Sequence, residues 1–154
     1  MNLVLCGYDI GYLSYLKKHV LKNNLKNNVY FLNYVDDKYL PYLYLESSIL
    51  IMPSLIGPTN IPPWEAFKMK IPVIYSDLEG IKNVLNDAVI YIDPMDPDMI
   101  ADTTQKILNS KELKNRLVEK GYEKLNEMQN KNDFQIFFKV TENYFNYKKL
   151  WIDK

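Results

Sequence analysis

A chain of 154 residues suits one domain and is long enough to bury a substantial core. Its 19 Lys plus Arg balance 19 Asp plus Glu without a block of one sign, which argues against a nucleic-acid footprint. No apolar run approaches the roughly 20 residues of a membrane span. No signal-peptide pattern opens the chain, and a single cysteine, Cys6, excludes an internal disulfide and fits a cytosolic home.

The pattern along the chain is short apolar runs alternating with longer amphipathic ones. Leu3–Cys6 reads as a strand ending at Gly7, and Leu13, Leu16, Val20 and Leu21 then recur at helical spacing. A polar turn over 23–28 leads to a second strand, Val29–Leu32. Asp36 is placed to cap a short helix through about Leu45. Ile49–Met52 is a continuous apolar strand, as expected when both faces are covered. A Gly- and Pro-rich loop over 53–61 follows, and Pro62-Pro63 open a helix, because proline is tolerated in a first turn. Val73–Tyr75 and Val89–Ile92 complete the strands, with a short helix from Gly80 to Leu85 between them. Pro97–Leu108, Lys111–Met128 and Asp133–Tyr147 read as three closing helices. This alternation predicts an α/β fold, a Rossmann-like three-layer domain with a parallel sheet of about five strands. We read 1–130 as its α/β core and 131–154 as a C-terminal helix. In such sheets ligands bind beyond the carboxyl ends of the strands, so the loops after Cys6, Leu32, Met52, Tyr75 and Ile92 are the ones to watch.

The loop Pro53-Ser-Leu-Ile-Gly-Pro-Thr-Asn-Ile-Pro-Pro-Trp-Glu-Ala66 is the most informative. It runs from a buried strand into a helix whose first amides would favour a phosphate. Gly57 permits close approach of backbone to ligand. Glu65, one turn into the helix, is placed to accept hydrogen bonds from a ribose diol. By itself, a Gly/Pro loop before a helix is more often just a turn.

The segment resembles the pattern P-S-x-x-E-G-F-G-L-P-x-x-E-A of the GT-B glycosyltransferases of the retaining, group 1 type (family 4). It matches without a gap at Pro53, Ser54, Pro62, Glu65 and Ala66. Leu3–Gly7, Val29–Val35, Ile71–Asp77, Glu79–Ile81 and Ala88–Pro94 resemble the family's flanking motifs in order and spacing. The resemblance covers about Leu3 to Gly121. It implies the C-terminal, nucleotide-sugar-binding domain of such an enzyme, and roles residue by residue. Glu65 would bind the nucleotide ribose. Gly7, Gly57, Pro58, Thr59, Asn60 and Ile61 would face the donor sugar and diphosphate, and Tyr34 and Val35 the base. Catalysis would transfer a hexosyl group from a nucleoside-diphosphate sugar, with no cofactor and no bound metal. No catalytic residue is assigned. The implied location is cytoplasmic, with peripheral association at the inner membrane face.

There are departures from the pattern. Gly57 replaces the first Glu of the family's pair, Pro58-Thr59-Asn60 replace G-F-G, and Asn33 replaces a glycine. Met1 falls where the family has its second strand, so the first strand-helix unit, with the R…K pair that neutralises the departing diphosphate, is not expected here. Lys17, Lys18 and Lys22 do not reproduce that pair. The partners this implies are the donor and either a separate N-terminal acceptor-binding chain or a second copy. The rival reading is a non-catalytic truncated or split remnant that binds nucleotide sugars or another protein.

Other residues take blander readings. His19 reads as structural, Asp36-Asp37 as capping residues, and Asp93, Asp96 and Asp98 as a turn with a helix cap rather than a metal site. The helix bearing Tyr39, Leu40, Tyr42, Leu43 and Tyr44 is expected to pack into the core. Phe134, Phe137, Phe138, Thr141 and Phe145 form a stripe at helical spacing, suited to a second copy.

Overall fold

The computed structural model describes residues 1–56 and 61–130, so the closing helix expected over 131–154 and its phenylalanine stripe lie outside the described residues. The elements follow in strict alternation: β1 (Leu3–Cys6), α1 (Leu13–Lys22), β2 (Val29–Leu32), α2 (Leu40–Leu45), β3 (Leu50–Met52) and α3 (Pro62–Lys68). Then come β4 (Val73–Ser76), α4 (Ile81–Leu85), a 3-10 turn over Asn86–Ala88, β5 (Val89–Ile92), α5 (Pro97–Asn109) and α6 (Lys111–Asn130). Every strand pairing is parallel. The chain divides into two compact units, Met1–Glu46 and Ser47 onward. The five strands divide the same way, into a pair β1-β2 and a triplet β3-β4-β5.

In the first unit Leu3 aligns with Val29 and Cys6 with Leu32. Parallel pairing turns alternate amides of a strand to opposite edges. Leu3 N–H donates to Asn28 at 2.8 Å and Gly7 N–H to Leu32 at 3.1 Å, which turns the amides of Val4 and Cys6 to the other edge. Among the described residues β1 pairs with β2 alone. The expectation of a sheet covered on both faces fails here: Leu3, Val4 and Leu5 are 43%, 40% and 36% exposed. Among the described residues too little of the chain packs over this strand to cover its faces. Helix α1 ends in a hydrogen-bonded stop. Asn24 takes φ 58°, its amide donates to Leu21 at 3.2 Å, and Leu25 N–H reaches Val20 at 2.9 Å, which is how an αL residue closes a helix. Asp36 does not cap α2. Its carboxylate accepts from Lys38 N–H at 3.2 Å in a turn before the helix, which has Tyr39 at its N-cap without a side-chain bond. Helix α2 buries no residue, so its tyrosines are not core.

The core proper belongs to the second unit. β4 is buried along its whole length. Ile74, Ile92, Ile107 and Leu117 pack together, flanked by Ile49, Ile51, Ile90, Ile100 and Leu113, so β3, β4 and β5 meet α5 and α6. Ser76, buried at the end of β4, donates to the Met52 carbonyl at 3.3 Å. Asp96 caps α5 by accepting from Met99 N–H at 2.9 Å, and Asp93 accepts from Met95 N–H at 2.8 Å. The acidic run over 93–98 is therefore the turn and cap its spacing predicts.

On β5, the Tyr91 hydroxyl is buried without a hydrogen-bond partner among the described residues. Burial first, then the charges of Asp77 and Asp87, push its pKa up to about 12. The unfolded chain releases this proton near pH 10, before the folded chain does. Stability from this group is therefore intact below pH 10 and is lost as pH rises toward about 12. Tyr91→Phe removes a buried unsatisfied polar group. It is expected to be neutral or stabilising by up to about 1 kcal/mol at neutral pH. It should also flatten the alkaline limb of a urea-denaturation series, and a variant as sensitive as the parent between pH 10 and 12 would refute the assignment.

Candidate nucleotide-sugar site

The first unit gathers its candidate residues at the carboxyl ends of β1 and β2. Gly7 N–H donates to the carbonyls of Leu32 (3.1 Å) and Asn33 (3.0 Å), tying the loop after β1 to the loop that carries Tyr34. Gly7 has φ +148°, and an added Cβ would meet no atom within 4 Å. The backbone conformation calls for glycine, and open space lies before it, which suits close approach of a ligand. Tyr34 does not stand alone. Its ring stacks on Tyr8 with centroids 5.4 Å apart and planes 25° from parallel, and both rings are exposed. Asp37 foremost among the neighbouring charges, then desolvation, raise the Tyr34 phenol pKa above its ordinary value. Val35 lies beside it, half-buried. The stack was not foreseen, although an aromatic directly after a strand-end glycine was its signal.

Asp9 is the other residue that sequence reasoning passed over. One carboxylate oxygen accepts from Gly11 N–H (2.7 Å) and Leu13 N–H (3.2 Å), so it fixes the loop and opens α1. Those backbone bonds, led by Gly11, hold its pKa below the usual carboxylate value.

In the second unit, Glu65 sits half-buried in the first turn of α3. The helix is fixed from behind: Pro63, Ala66 and Phe67 are buried, and Trp64 meets Phe67 edge-on with centroids 5.7 Å apart. Phe67 packs on Gly121 of α6 so closely that a Cβ at Gly121 would lie 2.5 Å from its Cδ1. The N-terminus of α3 is a poorer phosphate cradle than a generic helix end. Pro62 and Pro63 carry no N–H, and the amides of Trp64 and Glu65 already donate to the Ile61 carbonyl at 2.9 and 3.3 Å. Gly57, Pro58, Thr59 and Asn60 lie outside the described residues.

Two lysines lie close in sequence to the strand ends, and both are paired. Lys38 reaches Asp36 at 3.2 Å and Lys82 reaches Asp77 at 2.7 Å. His19 is exposed and stacks with Tyr15, as a structural histidine would. Among the described residues no three His, Cys, Asp or Glu side chains gather to hold a metal, and no helix is long and apolar enough to cross a membrane.

In both units parallel strands alternate with helices, which defines an α/β fold of the Rossmann-like kind. Residues 1–124 match the family described as glycosyl transferases group 1, and the chain belongs to that family. It is similar to the O-antigen chain mannosyltransferase RfbU of Salmonella typhimurium, with 34% identity over 94 residues, 61% of this chain and 26% of the relative. It is also similar to O-antigen chain mannosyltransferase B of Escherichia coli, with 31% identity over 99 residues, 64% of this chain and 26% of the relative. The chain thus spans about a quarter of the length of these relatives. Among solved structures, sucrose-phosphate synthase from Thermosynechococcus elongatus shares the fold with TM-score 0.75 at 22% identity, over 99% of this chain and 39% of that one. Anabaena HepE in complex with UDP-glucose does so with TM-score 0.76 at 16% identity, over 94% and 41%.

Proposed function

We propose that this chain is the donor-binding part of a retaining hexosyltransferase and takes up a nucleoside-diphosphate sugar. The observation that carries the reading is Glu65. It occupies the motif position implied for ribose binding and is held half-buried on a helix anchored by Phe67. Taken by itself, the first unit offers an exposed aromatic stack, Tyr8–Tyr34, of the kind a base stacks on, and open space before Gly7. That Anabaena HepE was solved with UDP-glucose supports the same ligand class. In the reaction the acceptor hydroxyl oxygen bonds to the anomeric carbon, the bond from that carbon to the diphosphate breaks, and configuration is retained. Hydrogen-bond donors and cations must stabilise the leaving diphosphate. No metal is required in this reading.

The pairing of Lys38 and Lys82 with aspartates favours a division of labour. The cation for the leaving group and the acceptor site come from outside these residues: an N-terminal half of a longer protein, a separate acceptor-binding chain or a second copy of this one. The alternative reading is a non-catalytic remnant that binds nucleotide sugars or another protein. We place the working protein in the cytoplasm, peripheral at the inner membrane face.

Calorimetric titration with UDP, GDP and ADP and their hexose conjugates, in the presence of a chelator, tests the reading. One nucleotide is expected to bind, and Tyr34→Ala or Tyr8→Ala should weaken it by several-fold through loss of stacking, which is worth about 1 kcal/mol. Absence of heat for every nucleotide at millimolar concentration would remove the donor site.

A further inference from the structure

We propose that Asp9 is a positioning residue of the donor site: it sets the loop that brings Tyr8 onto Tyr34, and with it the aromatic platform for the nucleotide's base. This rests on the donor reading above and adds to it a residue that no motif position implies. Tyr8 is held from both sides. Before it, Gly7 N–H donates to the carbonyls of Leu32 and Asn33, which pins the loop to the end of β2. After it, one oxygen of Asp9 accepts from Gly11 N–H at 2.7 Å and from Leu13 N–H at 3.2 Å. The Gly11 bond closes an Asx turn, in which a carboxylate binds the amide two residues on. Gly11 takes φ +109°, a conformation that side chains rarely adopt, and an added Cβ there would meet no atom within 4 Å. The turn therefore owes its shape to the carboxylate and to glycine's freedom, since no packing lies where a Cβ would be. The Gly11 amide first, then that of Leu13, stabilise the ionised form of Asp9 and lower its pKa.

The plainer role for an acid before a helix is to cap it. A cap residue accepts from the second or third amide of its own helix. Asp9 does otherwise. The N-cap of α1 is Tyr12, which makes no side-chain cap bond, and Asp9 lies three residues before it. Of the helix it reaches the first amide, Leu13, and that is the longer of its two bonds. The shorter one stays inside the loop. Burial does not hold the stack either. Tyr8 and Tyr34 are 73% and 61% exposed, with ring centroids 5.4 Å apart. Contact between two such exposed rings is too weak to order two loops. A Tyr8 backbone fixed in advance at Gly7 and Asp9 supplies that order, and it lowers the ordering cost of seating a base on the rings.

The test is a double-mutant cycle on the full chain, read by calorimetry with UDP, GDP and ADP and by ring-proton NMR without ligand. Asp9→Ala should raise the Kd of the nucleotide that the parent binds by several-fold. It should also move the Tyr8 and Tyr34 ring resonances toward those of unstacked tyrosine. Asp9→Asn keeps an acceptor oxygen and should restore both readouts. Asp9→Glu keeps the charge but displaces the oxygen by a methylene, so it should show a weaker form of the loss, and it serves if the alanine variant does not fold. In a Tyr8→Ala background, Asp9→Ala should add little, because its route to the base is gone. Circular dichroism verifies that the helices survive. Ring resonances unmoved by Asp9→Ala overturn the proposal, as do losses that simply add in the double variant, which would return Asp9 to a capping role. Failure of Asp9→Asn to restore either readout overturns it too. A parent that binds none of the three nucleotides at millimolar concentration, with ring shifts that still follow Asp9, would remove the donor reading and leave Asp9 in control of the stack.

Discussion

Glu65→Ala is expected to raise the Kd for the cognate nucleoside diphosphate by about 10- to 100-fold, because a hydrogen bond to a charged group contributes about 1.5–3 kcal/mol. The size of the effect follows from how the residue is held. Pro62 and Pro63 fix the first turn of α3, and Ala66 and Phe67 bury its opposite face. The helix backbone that carries the carboxylate therefore has little freedom left to lose on binding. Alanine is the best helix former, so α3 should survive the change. Glu65→Gln keeps one acceptor oxygen and should fall between the two. Calorimetry reads all three. A Kd unchanged by Glu65→Ala, with the far-ultraviolet spectrum preserved, would move the ribose elsewhere.

The second large effect is on stability. Leu117, Gly121 and Leu125 form the buried stripe of α6, and Gly121 is where Phe67 enters it. A Cβ there would stand 2.5, 3.0 and 3.1 Å from three ring carbons of a side chain that is 1% exposed. The ring has no solvent to swing into, so α3 or α6 must move. Overpacking of this kind costs about 1–3 kcal/mol, offset by up to about 1 kcal/mol of better helix propensity for alanine. Gly121→Ala should therefore lower the urea midpoint and take several degrees from Tm. Gly121→Val should do more, having two further carbons to place. Because α3 carries Glu65, nucleotide affinity should fall with stability. A rise in stability for Gly121→Ala would mean that the ring yields freely and that the contact does not position α3.

The two units were unequally legible. In Ser47–Asn130 the apolar runs over 50–52, 73–76 and 89–92 are continuous because both faces are covered, and periodicity then identifies strand and helix alike. The run Leu3–Cys6 is just as apolar and forms a strand too, but nothing local reports how little packs over it. Its exposure depends on what covers its faces, a property of the whole fold. Asp36 misled for a related reason: a carboxylate that closes an Asx turn and one that caps a helix look alike until the helix start is known. The places of Glu65 in the first turn of α3 and of Gly7 at the end of β1 follow the spacing of the motif. The stack of Tyr34 on Tyr8 was not legible in it, since it joins two loops 26 positions apart in sequence. The double proline that strips α3 of amide donors was in plain view, and physical chemistry alone could have discounted the helix end as a phosphate cradle.

The unpaired side of β1 has a consequence for the chain's fate as a free molecule. Val4 and Cys6 turn their amides away from β2, no strand among the described residues takes them, and no proline blunts that edge, which makes it a template for strand addition. Such an edge sets a race between productive capture and coalescence, and the outcome depends on concentration.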